Sequence, residues 1–299
     1  MTHNPDTERG NKIMNRYMRA YYYAVLGAMG GLFGWQITET LGFVGGQNVY
    51  LSDALLGGVI GLCVGLLIGF TEGLLTRSPV RALRAGLISG LIGLAAGAAG
   101  LPVGEWVFQL SGGEILGRAL GWAAFGVLVG LAEGITGGTQ MYKGALGGLI
   151  GGAVGGVILE LAKRTLDDPL LGKALGLVLL GASVGAFIAL IVVLLSRAWL
   201  EVKSGKLQGT EFILDKFMSL KGPAAIIGSN VLKSDIALPD PDIAPQHAQL
   251  KGADTHFTLR DMSVGRGTFV NGRRIEVHRL ANRQLIRVGN TELIYHEKR

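Results

Sequence analysis

Hydrophobic and polar positions fall into two patterns that meet near residue 197. Before that point, long apolar runs stand between single charges. Residues 20–38 lie between Arg19 and Glu39, 54–71 between Asp53 and Glu72, and 85–104 between Arg84 and Glu105. Residues 119–142 are interrupted only at Glu133, 144–159 lie between Lys143 and Glu160, and 174–196 between Lys173 and Arg197. Each run is near the roughly 17–25 residues that span a bilayer as a helix. Open backbone is too costly in lipid, so the pattern predicts a membrane α-helical bundle of six transmembrane helices over residues 20–197. A polar tail, residues 1–19, precedes it, and nothing there reads as a cleavable signal peptide. After Trp199 the period becomes two. L-E-V-K, E-F-I-L, A-A-I-I-G, D-I-A-L, H-A-Q-L, H-F-T-L, T-F-V-N, Q-L-I-R-V and T-E-L-I-Y alternate with turns, which predicts an all-β sandwich over residues 198–299.

Glycine adds an internal repeat to the first pattern. Gly27, Gly30, Gly31, Gly34 and Glu39 superpose on Gly148, Gly151, Gly152, Gly155 and Glu160 at a constant offset of 121. Gly90, Gly93 and Gly97 repeat the spacing, while Gly65, Gly69 and Gly73 correspond to Gly126, Gly130 and Gly134. The repeating unit is a helical hairpin used three times. Glycines four apart leave a flat stripe on which two helix backbones approach closely, so glycine-zipper packing is expected.

Composition sharpens the division. Of 49 glycines, 40 precede residue 201, whereas 15 of the 28 Lys and Arg follow it. Mean hydropathy is +0.41 and net charge only +6. The charge is mild and mixed with acids, which argues against nucleic acid as a partner. Cys63, the single cysteine, lies inside an apolar run and forms no disulfide framework. Loop cations set orientation: Arg9, Lys12, Arg16 and Arg19 in the tail and Arg77, Arg81 and Arg84 in the second loop place both termini in the cytoplasm. In that orientation Glu39, Glu72, Glu105, Glu133 and Glu160 fall at helix ends. They read as interfacial carboxylates, solvated or paired with loop cations such as Arg77 or Lys143, and not as a proton relay.

The stretch Asp261–Gly272, D-M-S-V-G-R-G-T-F-V-N-G, carries the candidate chemistry. Thr268–Val270 reads as a short buried strand, with Gly265, Gly267 and Asn271-Gly272 supplying positive-φ turns on either side. Arg266 is then at a loop tip beside uncovered amides, a place suited to an anion. The pattern resembles the S-x-N-G-T-x-V-N-G signature of forkhead-associated (FHA) domains. I-I-G at 226–228 with D-I-A-L at 235–238, I-A-P-Q-H-A-Q-L at 243–250 and L-I-R-V-G at 285–289 extend the resemblance over residues 198–299. It implies a reader of phosphothreonine peptides, with ligand-binding positions at Gly228, Ser229, Lys233, His247, Arg266, Thr268 and Asn271. The family's phosphate-holding Arg and Ser are here Ser229 and Ala244, its peptide-holding Asn is Arg266, and His247 stands at its loop-buttressing position.

The implied function is a membrane-anchored adaptor that recruits a cytosolic, phosphothreonine-bearing or unmodified, protein in bacterial Ser/Thr-kinase signalling. A channel or transporter regulated by the FHA domain, and an oligomeric membrane scaffold, are the alternatives. The inner membrane is the expected location, with the bilayer, a cytosolic protein and a second copy as partners. No catalytic constellation, metal cluster or cofactor motif is present, so no enzyme, cofactor or metal is expected. Counting loop cations puts Arg9 and Arg299 on the cytoplasmic side. A C-terminal alkaline phosphatase fusion is therefore expected to be inactive, and periplasmic activity would reverse the orientation.

Overall fold

Lipid-length apolar runs become helices, and alternating runs become strands, in the computed structural model of the chain. It describes residues 5–42, 48–75, 78–110, 115–136 and 141–298, excepting the side chains of 5–17, Glu72, 115–116, Arg118 and 133–136. Arg9, Lys12, Arg16, Glu72, Arg77, Glu133 and Arg299, used above for orientation and membrane charge, lie outside the described residues or side chains. Six helices run α1 (Pro5–Leu41), α2 (Val49–Leu75), α3 (Pro79–Leu110), α4 (Ile115–Thr136), α5 (Met141–Thr165) and α6 (Pro169–Leu195). Among the described residues, α2, α3, α5 and α6 are long and apolar enough to cross a membrane, and α4 contributes a shorter apolar stretch, Ala119–Ala132. Two boundaries differ from the sequence reading. The run 119–142 has no internal charge after Glu133 to mark a break, yet α4 ends at Thr136 and Met141 already belongs to α5. The tail also joins α1, which begins at Pro5.

Each helix packs on its sequence neighbours, and α1 packs on α6, so the six close into a ring. Ile60, Val64, Phe125, Leu180, Val184 and Ile188 fill its interior. Glycine decides how close the helices come. A Cβ built on Gly65, Gly126 or Gly181 would stand 2.4, 2.0 or 2.1 Å from the carbonyl oxygen of Ser89, Gly148 or Gly27 on the adjoining helix. A second kind of contact sets Gly30 and Gly151 against the Cα atoms of Val64 and Val184, at 2.6 and 2.7 Å from the same construction. No side chain fits at these points, so backbones touch and gain dispersion and Cα–H···O contacts.

The helix-end carboxylates have partners close by. Glu160 accepts from Arg164 Nε at 2.8 Å, Glu105 from Gln109 Nε2 at 3.1 Å, and Glu39 lies 3.9 Å from Lys173 Nζ. Lys143 does not serve this purpose. It is fully buried, and its Nζ donates to Asp215 Oδ2 at 2.5 Å and to the Leu195 carbonyl at 2.8 Å. Asp215 lies in the second half of the chain, in a 3-10 turn, and its Oδ1 accepts the N–H of Arg197 and Ala198.

That second half is a two-sheet sandwich. Its strands are β1 (Ala198–Val202), β2 (Glu211–Ile213), β3 (Ala225–Gly228), β4 (Ile236–Ala237), β5 (Ala248–Gly252) and β6 (Phe257–Asp261). They continue with β7 (Thr268–Val270), β8 (Arg273–Ile275), β9 (Val277–Arg279), β10 (Leu285–Val288) and β11 (Thr291–Glu297). One sheet has the order β2-β1-β11-β10-β7-β8 and the other β4-β3-β5-β6-β9. Alternation sends Leu200, Ile227, Leu250, Leu259, Ile286 and Leu293 into one core, where Phe257 meets Tyr295 edge-on at 6.1 Å.

Replacing Gly126 or Gly151 by leucine must part backbones already in contact, an overpacking that costs about 1–3 kcal/mol or more. Both variants are expected to melt earlier in detergent than the wild type. Unchanged melting in both would mean that the ring does not depend on these contacts.

Candidate functional site

Three loops at one edge of the sandwich are tied into a single frame: residues 229–235 after β3, 238–247 before β5, and 262–267 before β7. Gly228 enters the frame because nothing larger fits, a Cβ there lying 2.2 Å from the Pro245 carbonyl oxygen. Ser234 Oγ donates to Pro245 O at 2.8 Å, and Gln246 Nε2 donates to Lys233 O at 3.3 Å. His247 is the hub and has no exposed surface. Its Nδ1 accepts the Ala244 N–H at 3.1 Å, which leaves the ring proton on Nε2 to donate to Gly267 O at 3.1 Å. A neutral imidazole of one tautomer thus joins the second loop to the third.

The third loop is held from below by Asp261. Its Oδ1 accepts from the Ser263 N–H, the Ser263 hydroxyl and the Thr268 hydroxyl at 3.0, 2.8 and 2.9 Å. Burial pushes this carboxyl up, but the donated hydrogen bonds outweigh burial and the net direction is down. Gly265 and Gly267 take φ of +84° and +76°, and Asn271 takes +50°, as the turn signals predict.

The seven residues singled out by sequence divide on their surroundings. Gly228, His247 and Thr268 are buried parts of the frame. Asn271 bonds Leu285 through both its N–H and its Oδ1, so it ties the turn after β7 to β10. Ser229 spends its hydroxyl on Ile243 O at 2.9 Å. Arg266 is exposed, and its Nη1 donates to Pro241 O at 2.9 Å, bracing the third loop against the second. Lys233 is exposed on the first loop. Ala244, at the remaining reading position, offers no hydroxyl.

Sequence reasoning missed several residues of this face. Arg274 stands on β8 opposite Phe269, and its Nε is what a Cβ on Gly267 would meet at 2.7 Å. The signal was the Asn271-Gly272 turn, whose tight hairpin folds Arg274 back beside the loop. Leu232, Met262 and Val264 are exposed apolar residues at the loop tips, Val264 to 98%.

Residues 201–298 match the family model described as "Inner membrane component of T3SS, cytoplasmic domain". Together with the two-sheet topology and the His247 frame, this decides the assignment of the C-terminal third. It is an FHA-like domain. Among solved structures, the FHA domain of CT664 protein from Chlamydia trachomatis is 32% identical, covers 35% of this chain and 100% of its own, and gives a TM-score of 0.31. The cytoplasmic domain of the T3SS sorting platform protein PscD from P. aeruginosa is 21% identical over 34% of this chain and 82% of its own, with a TM-score of 0.30. The FhaA FHA domain, complexed with the intracellular domain of Rv3910, is 24% identical over 33% of this chain and 99% of its own, with a TM-score of 0.28. No curated protein matches the chain.

In the FHA-like domain, then, the loop frame is complete, while the Ser229 hydroxyl is turned to Ile243 O and Ala244 carries none. The lowered carboxyl of Asp261 fixes the sign of a pH effect. A group whose folded pKa is depressed stabilises above its unfolded value, near about 4, and that stability is lost as pH falls through the folded value. Melting of the wild type is expected to fall on acidification through this window. Asp261→Asn should melt earlier at neutral pH and lose that part of the slope, and an unchanged slope would remove Asp261 from the account.

Proposed function

We propose that the chain is a membrane-anchored, non-enzymatic adaptor whose FHA-like domain docks a cytosolic protein. The bundle is read as six spans built from three glycine-zipper hairpins in a bacterial inner membrane, with both termini cytoplasmic. The family match to an inner membrane component supports that location, and the four apolar helices support anchoring.

One observation carries the reading of the partner. The frame that presents the loops is intact around His247, yet Ser229 donates to Ile243 O and Ala244 has no hydroxyl. Losing an arginine contact to phosphate removes a charge-assisted bond of about 1.5–3 kcal/mol, against about 1 for a neutral one. The exposed surface is instead mixed: Leu232, Met262 and Val264 among Lys233, Arg266 and Arg274. Such a surface suits an acidic, partly apolar protein segment without a phosphate requirement. A second reading, a phosphothreonine-bearing partner in kinase signalling, is favoured by the same three cations bordering one set of loops.

The test is capture of the partner by full-length protein in nanodiscs, from lysate with and without phosphatase treatment, followed by calorimetry with paired peptides. Capture is expected to survive phosphatase, and Arg266→Ala to weaken binding by about 1.5–3 kcal/mol. Ser229→Arg is expected to add affinity for phosphothreonine peptides, limited by Ala244. Loss of capture after phosphatase would select the second reading, and indifference to Arg266→Ala would misplace the cation.

A further inference from the structure

At the end of the bundle remote from the FHA-like domain, all six helices line one cavity of about 190 Å³. Its walls are ordered by helical spacing. Glu39, Asp53, Glu105, Lys163 and Lys173 stand nearest the helix ends. Three or four residues deeper on the same helices, Trp35, Leu56, Leu101, Leu159 and Leu177 also line it. One helical turn advances about 5.4 Å, so a ring carrying both signs of charge lies one turn above an apolar ring. A further observation points to a ligand. Glu39 and Lys173 are 3.9 Å apart, each side chain about one-third exposed (34% and 33%), so neither is closed off by the other. Trp35 adds its indole ring to the wall, with Nε1 itself buried.

We propose that this cavity binds a small zwitterion with an apolar body, the chemistry of an apolar α-amino acid. Lys173 receives the ligand carboxylate, Glu39 receives its ammonium, and the leucines of the deeper ring take the side chain against Trp122. A cavity of about 150 Å³ already accommodates benzene, so this one has room for a leucine-sized molecule. The geometry favours the zwitterion over a simple cation or anion because both charge signs border a single apolar floor.

The experiment uses full-length protein in nanodiscs of phosphatidylglycerol, titrated with L-leucine while tryptophan emission and melting temperature are read. Isocaproate and isoamylamine, which keep the apolar body and one charge each, are the controls. Leucine is expected to change emission saturably and raise the melting temperature, with either control at least about tenfold weaker. Lys173→Gln and Glu39→Gln are expected to weaken leucine by about tenfold or more each while keeping the unliganded melting temperature. No saturable response to leucine by about 10 mM, or an equal response to a single-charge control, would overturn the proposal without reference to any variant. Zwitterionic lipid is the competing source of the same chemistry. Phosphatidylethanolamine added to the discs should leave the leucine response in place, and its replacement of that response would overturn the free-ligand assignment.

Discussion

A lysine and an aspartate with almost no exposed surface hold the two halves of this protein together. Lys143 Nζ meets Asp215 Oδ2 at 2.5 Å with side-chain exposures of 0% and 1%. Taking either charge out of water costs several kcal/mol, and the pair persists only if its remaining hydrogen-bonding capacity is met. Most of it is. The lysine also caps the Leu195 carbonyl at the end of α6, and the second carboxylate oxygen takes the N–H groups of Arg197 and Ala198, the second and third after that helix. Removing one partner would leave an uncompensated charge, a loss of about 3–5 kcal/mol in comparable buried pairs. The consequence reaches beyond the junction. Where α6 stops and β1 starts is set here, and so is the seat of the sandwich on the helix ends. Arg81, at the start of α3, then donates to the carbonyl of Ser234 in the first loop of the candidate site, and Lys298 Nζ reaches Leu194 O at 3.3 Å.

Much of the architecture was legible because the two solvents impose different periods. Among the described residues, bilayer-length runs between single charges marked the six helices, four of them long and apolar enough to cross a membrane, and alternation marked nine of the eleven strands. What escaped had no periodic signal. In β8 and β9, Arg273, Arg274, Val277 and Arg279 are exposed, and each strand ends its sheet, so no buried face imprints an alternating pattern. The boundary between α4 and α5 was missed because Gly137, Gly138, Thr139 and Gln140 carry no charge to punctuate the run. Asp215 as the partner of Lys143 could not be read at all, since 72 residues separate the two and neither sits in a motif.

At the site, sequence located residues but not their directions. The motif placed His247 at the hub, and glycine chemistry placed the turns, because steric rules for positive φ are local. Nothing local says that the Ser229 hydroxyl turns to Ile243 O or that Arg266 reaches Pro241 O. Those bonds depend on a loop some 14 to 25 residues away along the chain. Arg274 shows the reverse case, a residue of no motif brought to the loops by a cross-strand register.

Two lysine–carboxylate pairs at opposite ends of the same ring show how an ion pair that holds a fold differs from one that can take a ligand. At the junction the charges are 2.5 Å apart, buried, and further bonded to backbone groups that themselves need partners. No group there can turn to a newcomer without leaving a buried polar atom unsatisfied. At the far end Lys173 and Glu39 are 3.9 Å apart and one-third exposed, on the wall of an open cavity. A newcomer there could gain bonds at the cost of a weak, partly solvated contact. The same test separates the side chains of the FHA-like face. Ser229 and His247 have their bonding capacity turned inward, whereas Arg266 commits one nitrogen to Pro241 O and keeps the rest of its donor fork at the surface. Residue type marks where chemistry is available, and unspent hydrogen-bonding capacity in the folded chain marks where it can act.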